Sequence, residues 1–219
     1  MYLNNVIKFT RGGSTESPEL REYILIWLLP LVLAIGAFLH GDNLRQTVDH
    51  EWRYYQICVV TAIAVYVIVT LRITYCMSLR DYMRLYCVSF IFAIYFNSAI
   101  TFADIVALGN FHWCILPIYF LPIIIVSLLA AWSNYVYLKK KKQRTLFLNY
   151  RVGRIAIIGS SGGHFSSRSD SSYTEMFVWS VIFMCILSAF LALFLQRLYF
   201  TEKYKISWKT VDGIENSLH

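Results

Sequence analysis

Five apolar stretches dominate this chain: residues 23–39, 57–75, 85–108, 113–138 and 176–200. Each is near or above the roughly 20 residues that carry an α-helix through the ~30 Å hydrocarbon layer of a bilayer. Their apolar residues come in long blocks rather than at strand or one-faced helical spacing. A chain of 219 residues, 58% apolar, cannot build a soluble core large enough to bury them. Only 15% of its residues are charged, against roughly 25% in a soluble domain. Lipid must be the second solvent, and because lipid offers the backbone no hydrogen bonds, the spans are read as helices. The predicted fold is all-α: a polytopic integral membrane protein with about five transmembrane helices.

The blocks divide the chain. A polar N-terminal segment, 1–22, carries mixed charge, and Gly12, Gly13 and Pro18 break any long helix there. It lacks the short basic start of a secretory signal, and no small-residue cleavage site follows the first apolar run, so that run is expected to remain as an anchor. Residues 23–138 then form a four-helix region with an outer loop at 40–56. A basic Ser/Gly-rich loop, 139–175, leads to the fifth helix, 176–200, and a tail, 201–219.

Charge orients the spans. Residues 76–84 carry Arg80 and Arg84 against Asp81, with Arg72 close by. Residues 139–175 carry Lys139, Lys140, Lys141, Lys142, Arg144, Arg151, Arg154 and Arg168 against Asp170 and Glu175. Residues 40–56 carry Arg45 and Arg53 against Asp42, Asp49 and Glu51, and 109–112 carry no formal charge with His112 neutral. The positive-inside rule places the first two segments in the cytosol and the other two outside. Five spans then put the N-terminus inside and the tail outside, a side that Lys203, Lys205 and Lys209 fit poorly. Aromatic belts follow the same scheme, with Trp52, Tyr54, Tyr55 and Trp113 outside and Trp132, Tyr135, Tyr137 and Trp179 inside. In this setting the net charge of +7 reports orientation and does not call for nucleic acid.

Chemistry is sparse. On the third span, Asn97, Thr101 and Asp104 share a face at i, i+4, i+7. A carboxylate in a membrane usually has a partner or a water path, so the stripe is a candidate pore or proton-responsive lining, or a structural contact close to the outer boundary. Ala99, Ala103 and Ala107 on this helix, and Ser188 and Ala192 on the fifth, are small residues at intervals of four. Such faces let helices approach within a subunit or between subunits. Pro117 and Pro122 should kink the fourth span. The five cysteines show no zinc or disulfide spacing. His40, Asp42, Asp49, His50, Glu51 and His112 gather on the outer side as a metal or pH cluster or as an ordinary solvated loop. Gly159-Ser160-Ser161-Gly162-Gly163 matches the nucleophile-elbow pattern, but a polar run follows it where a hydrolase needs an apolar helix.

The expected function is a non-enzymatic scaffold or sensor that forms homo-oligomers in the bilayer and docks a cytosolic protein on its basic 139–175 loop, without cofactor or nucleic acid. Small membrane subunits of this type commonly belong to bacterial inner-membrane modules for antiviral defence, toxin immunity or secretion. The alternatives are an ion or proton channel or carrier lined by the polar stripe, and an interfacial enzyme using the outer histidines.

Overall fold

The computed structural model describes residues 2–11, 20–45, 51–74, 78–107, 113–139 and 173–207. Among them every regular element is an α-helix: α1 (Tyr2–Arg11), α2 (Leu20–Arg45), α3 (Glu51–Thr74), α4 (Leu79–Ala107), α5 (Ile115–Lys139) and α6 (Tyr173–Tyr204). Four contain stretches long and apolar enough to cross a membrane: Trp52–Ile73, Leu79–Val106, Ile115–Lys139 and Phe177–Lys203. The first predicted span is α2, whose 26 residues reach about 39 Å at 1.5 Å per residue. Its apolar centre, Ile26–Gly41, is shorter than the other four. The all-α membrane class read from the sequence is thus the architecture observed.

Local chemistry sets the helix ends. Ser78 caps α4: its carbonyl accepts from Tyr82 N–H at 3.0 Å and its Oγ accepts from Asp81 N–H at 3.1 Å. This satisfies donors that the first helical turn leaves open. Pro117 falls in the first turn of α5, where a missing N–H removes no helical hydrogen bond, so of the two prolines only Pro122 lies inside the helix. At the other terminus, α6 ends in a Schellman turn. Lys205 takes a left-handed φ of 49°, and Ile206 N–H returns to Thr201 C=O at 3.1 Å.

The bundle is built around α4 and α6. The α4 span is 56% buried, against 17% for α3 and 11% for α5, so α4 is central and the latter two are peripheral. α4 and α6 run antiparallel, with Tyr86 stacked on Phe194 at 4.2 Å and Phe90 on Phe190 at 5.9 Å. α2 lies parallel to α4. A Cβ on Gly36 would stand 3.2 Å from Ile100 Cδ1, and His40 meets Asp104. α3 runs antiparallel to α2, with Tyr55 near Ala37 and Tyr66 near Trp27.

The α5–α6 pair corrects the sequence reading. Tyr119 meets Ser180, Ile123 meets Ser188 and Asn134 meets Gln196, so residue numbers rise together and the helices are parallel. Lys139 and Tyr173 therefore stand at opposite ends of the bundle, and the chain between them joins opposite faces. The predicted cytosolic loop 139–175 falls mostly outside the described residues, and its described ends do not share one side. Trp179 belongs to the outer end rather than the inner belt. The C-terminal end of α6 lies beside the start of α4, where Arg80 contacts Glu202 at 2.9 Å. Lys203 and Lys205 thus join Arg72, Arg80, Arg84 and Lys139 at one end. The positive-inside rule assigns that end, the inner end, to the cytosol. The misfit of a basic external tail disappears.

Candidate functional site

The polar residues of α4 divide between two places. Asn97 and Thr101 are buried and face α6 and α5. Asn97 Nδ2 donates to Ser180 Oγ at 3.2 Å, Thr101 Oγ1 lies 2.5 Å from Ser180 Oγ, and Tyr119 OH lies 3.2 Å from the same atom. Thr101 Oγ1 also donates to Asn97 C=O at 2.9 Å. Each hydroxyl has one proton, so one order satisfies the set: Tyr119 donates to Ser180, Ser180 to Thr101 and Thr101 to the carbonyl. Chains of this kind polarise one another where the dielectric is low. Asn97 Oδ1, also buried, accepts no hydrogen bond. Asp104 is not part of this cluster. Its Oδ1 lies 2.9 Å from His40 Nδ1 on α2, nearer the outer end, with both side chains mostly covered. The contact is an ion pair only when the imidazole is protonated. The predicted stripe is thus two local contacts, each tying α4 to a different neighbour.

The small-residue faces are used inside the subunit. Ala103 is buried and Ala99 packs against the core. Ser188 Oγ lies 3.4 Å from Ile123 C=O, at the α5–α6 contact. Ala192 is half-buried on α6. The side chain of Ala107 lies outside the described residues. So do Asp49, His50, His112, the side chains of Asp42 and Glu51, and Lys140, Lys141, Lys142, Arg144, Arg151, Arg154 and Arg168. Of the outer cluster only His40 is described, and its partner is Asp104. Among the described residues, no three His, Cys, Asp or Glu side chains gather as a metal ion requires.

A second polar region lies at the inner end, and the sequence reading passed over it. α1 folds against α5 and α6: Phe9 meets Phe200 edge-on at 6.3 Å, and Asn5 Nδ2 donates to Leu138 C=O at 3.3 Å. Arg197 of α6 is buried, its guanidinium 5.0 Å from the Phe9 ring and 5.0 Å from the Phe194 ring. This is the cation–π geometry that suits an arginine held among aromatics. Arg11 is buried too, with Nη2 donating to Ser207 C=O at 2.6 Å. Lys8, Lys139, Lys203 and Lys205 are exposed around α1. Lys139 and Lys203 hold their ammonium groups over Tyr135 at 4.5 Å and Tyr199 at 5.4 Å. Burial, with Tyr204 and Tyr135 close by, pushes the Tyr2 phenol above its ordinary value. Glu202 is held by Arg80 at 2.9 Å and Arg84 at 3.4 Å.

One further tie was overlooked. Asn134 Nδ2 donates to Gln196 Oε1 at 2.7 Å and Gln196 Nε2 to Ala131 C=O at 2.8 Å, which fastens α5 to α6 toward the inner end. The signal was there: Asn134, Gln196 and Arg197 are polar residues inside apolar runs, where each needs a partner. Compared with protein-family models, with curated proteins and with solved structures, the chain matches none.

Proposed function

We propose that the protein is a non-enzymatic membrane scaffold or sensor, which assembles with copies of itself in the bilayer and docks a cytosolic protein at its inner end. One observation carries this reading. Among the described residues of the inner end, α1 is seated on α5 and α6, and Lys8, Lys139, Lys203 and Lys205 stand exposed around it. A fixed basic surface on a body that otherwise faces lipid suits an acidic protein partner. Copies would meet through the exposed apolar faces of α3 and α5, because Ala103 and Ser188 are already covered within the subunit. The mass of the particle extracted in mild detergent, with whatever co-purifies, tests the reading. A homo-oligomer carrying a soluble protein, which is lost in the triple variant Lys8→Glu, Lys139→Glu, Lys203→Glu, supports it. A bare monomer overturns it.

A second reading, an ion or proton channel or carrier, draws on Asn97, whose buried Oδ1 lacks a donor beside three hydroxyls. Liposome flux decides it. Flux that Asn97→Leu abolishes would favour a channel, and none at any pH would remove that reading.

A further inference from the structure

We propose that the seam between α1 and α6 binds the phosphate headgroup of an anionic phospholipid of the inner leaflet, with Arg11 as its principal ligand. Arg11 is 6% exposed, and its buried Nε has no partner. Its one hydrogen bond, Nη2 to Ser207 C=O at 2.6 Å, goes to a neutral acceptor. A guanidinium has five donors and a permanent charge, and arginines are almost never this buried without an anion. The described acids of the inner end are committed elsewhere. Glu202 is held by Arg80 and Arg84, and Asp81 caps α4 with Ser78 and lies 3.5 Å from Arg84. Among the described residues no carboxylate meets the Arg11 guanidinium, which leaves its charge open to an anion from another molecule.

Phosphate fits that need, since its oxygens match the planar guanidinium fork. Lys8 stands exposed one turn before Arg11 on α1, and Arg197 lies across the seam over Phe9. Lys8 raises the local positive potential. Position points to a lipid rather than to a free anion. α1 lies at the ends of α5 and α6, where Tyr135 with Lys139 and Tyr199 with Lys203 mark the headgroup level. The inner leaflet offers anionic headgroups at that level. The assignment goes beyond the scaffold reading and does not depend on it, since its principal ligand is the buried Arg11.

The test uses the full chain in neutral detergent, titrated with phosphatidylglycerol, phosphatidylcholine or inorganic phosphate alone, reading the thermal unfolding midpoint. A ligand that binds only the folded state raises that midpoint. Phosphatidylglycerol should raise it and the other two should not. Arg11→Gln should weaken the half-saturating phosphatidylglycerol concentration about tenfold, the loss of one charge-assisted hydrogen bond. Lys8→Gln, on an exposed position, should weaken it less. Equal responses to the two lipids would overturn the proposal, as would an Arg11→Gln protein that responds like wild type. A response to inorganic phosphate as large as that to phosphatidylglycerol would assign the seam to a soluble anion and overturn the lipid. Should Arg11→Gln fail to fold, the wild-type lipid comparison and Lys8→Gln still decide.

Discussion

Ser180 is one hydroxyl shared by three neighbours on two other helices, Asn97, Thr101 and Tyr119. Interhelical hydrogen bonds in membranes average about 0.6 kcal/mol and reach about 1.7 kcal/mol, because the unfolded chain in lipid also finds partners. Ser180→Ala breaks several at once, so a loss of about 1–2 kcal/mol is expected in reversible unfolding in detergent. Thr101→Ala combined with it should cost less than the two single losses added together, since both remove the same bond. Asn97→Leu should cost less than Ser180→Ala, because it also removes the acceptor that has no donor. The sequence read Asn97, Thr101 and Asp104 as one face, whereas Asn97 and Thr101 meet α6 and α5 and Asp104 meets α2, and nothing in their spacing could name Ser180, Tyr119 or His40 as partners. Those lie on other helices, and a single residue in a long apolar run leaves the hydropathy of the run almost unchanged. Arg197 and Gln196 escaped notice for the same reason.

At the scale of the element, close approach and termination make the sharpest predictions. Gly36 lets α2 press on α4. Gly36→Ala should be tolerated, since the nearest atom is the flexible Ile100 tip at 3.2 Å. Gly36→Leu should separate the helices and cost roughly 1–3 kcal/mol by overpacking, read in the same unfolding assay. Lys205 closes the last turn of α6 with a left-handed φ of 49°. Glycine takes that conformation without a Cβ penalty, so Lys205→Gly should raise stability by about 0.5–1 kcal/mol. The helices themselves were legible because length and hydropathy suffice to recognise a span. α1 was not. Its buried Val6 and Phe9 are three residues apart, but Lys8, Arg11 and two asparagines surround them, and ten residues show too few turns for a periodicity to stand out. Its seat on α5 and α6 is a tertiary contact that no local pattern encodes.

For the whole molecule, the direction of α6 decides which ends share a face. In a cysteine-free background, Glu175→Cys should react with an impermeant maleimide from the side opposite to Lys203→Cys, and a reporter fused after the last residue should be cytosolic. An external reporter would refute the parallel α5–α6 pairing. The sequence could not settle this. The positive-inside rule sorts segments by charge, and a long segment read as one loop was assumed to start and finish on one side. The lysines at 203 and 205 argued otherwise, and the structure resolves the conflict in their favour.

That pairing also has a consequence for the expected order of assembly. α2, α3 and α4 neighbour one another in sequence and in space, so each can settle as soon as the next is made. α6 has its seats on α4 and α5, and only with α6 complete do all the described partners of α1 exist. Asn5 reaches Leu138 across 133 positions and Arg11 reaches Ser207 across 196. Closing such long loops carries an entropic cost that grows slowly with length, and the aromatic contacts around Phe9 offset it only at the end. α1 precedes the other described helices in the chain and is therefore expected to complete its docking after them, once residues through 207 are in place.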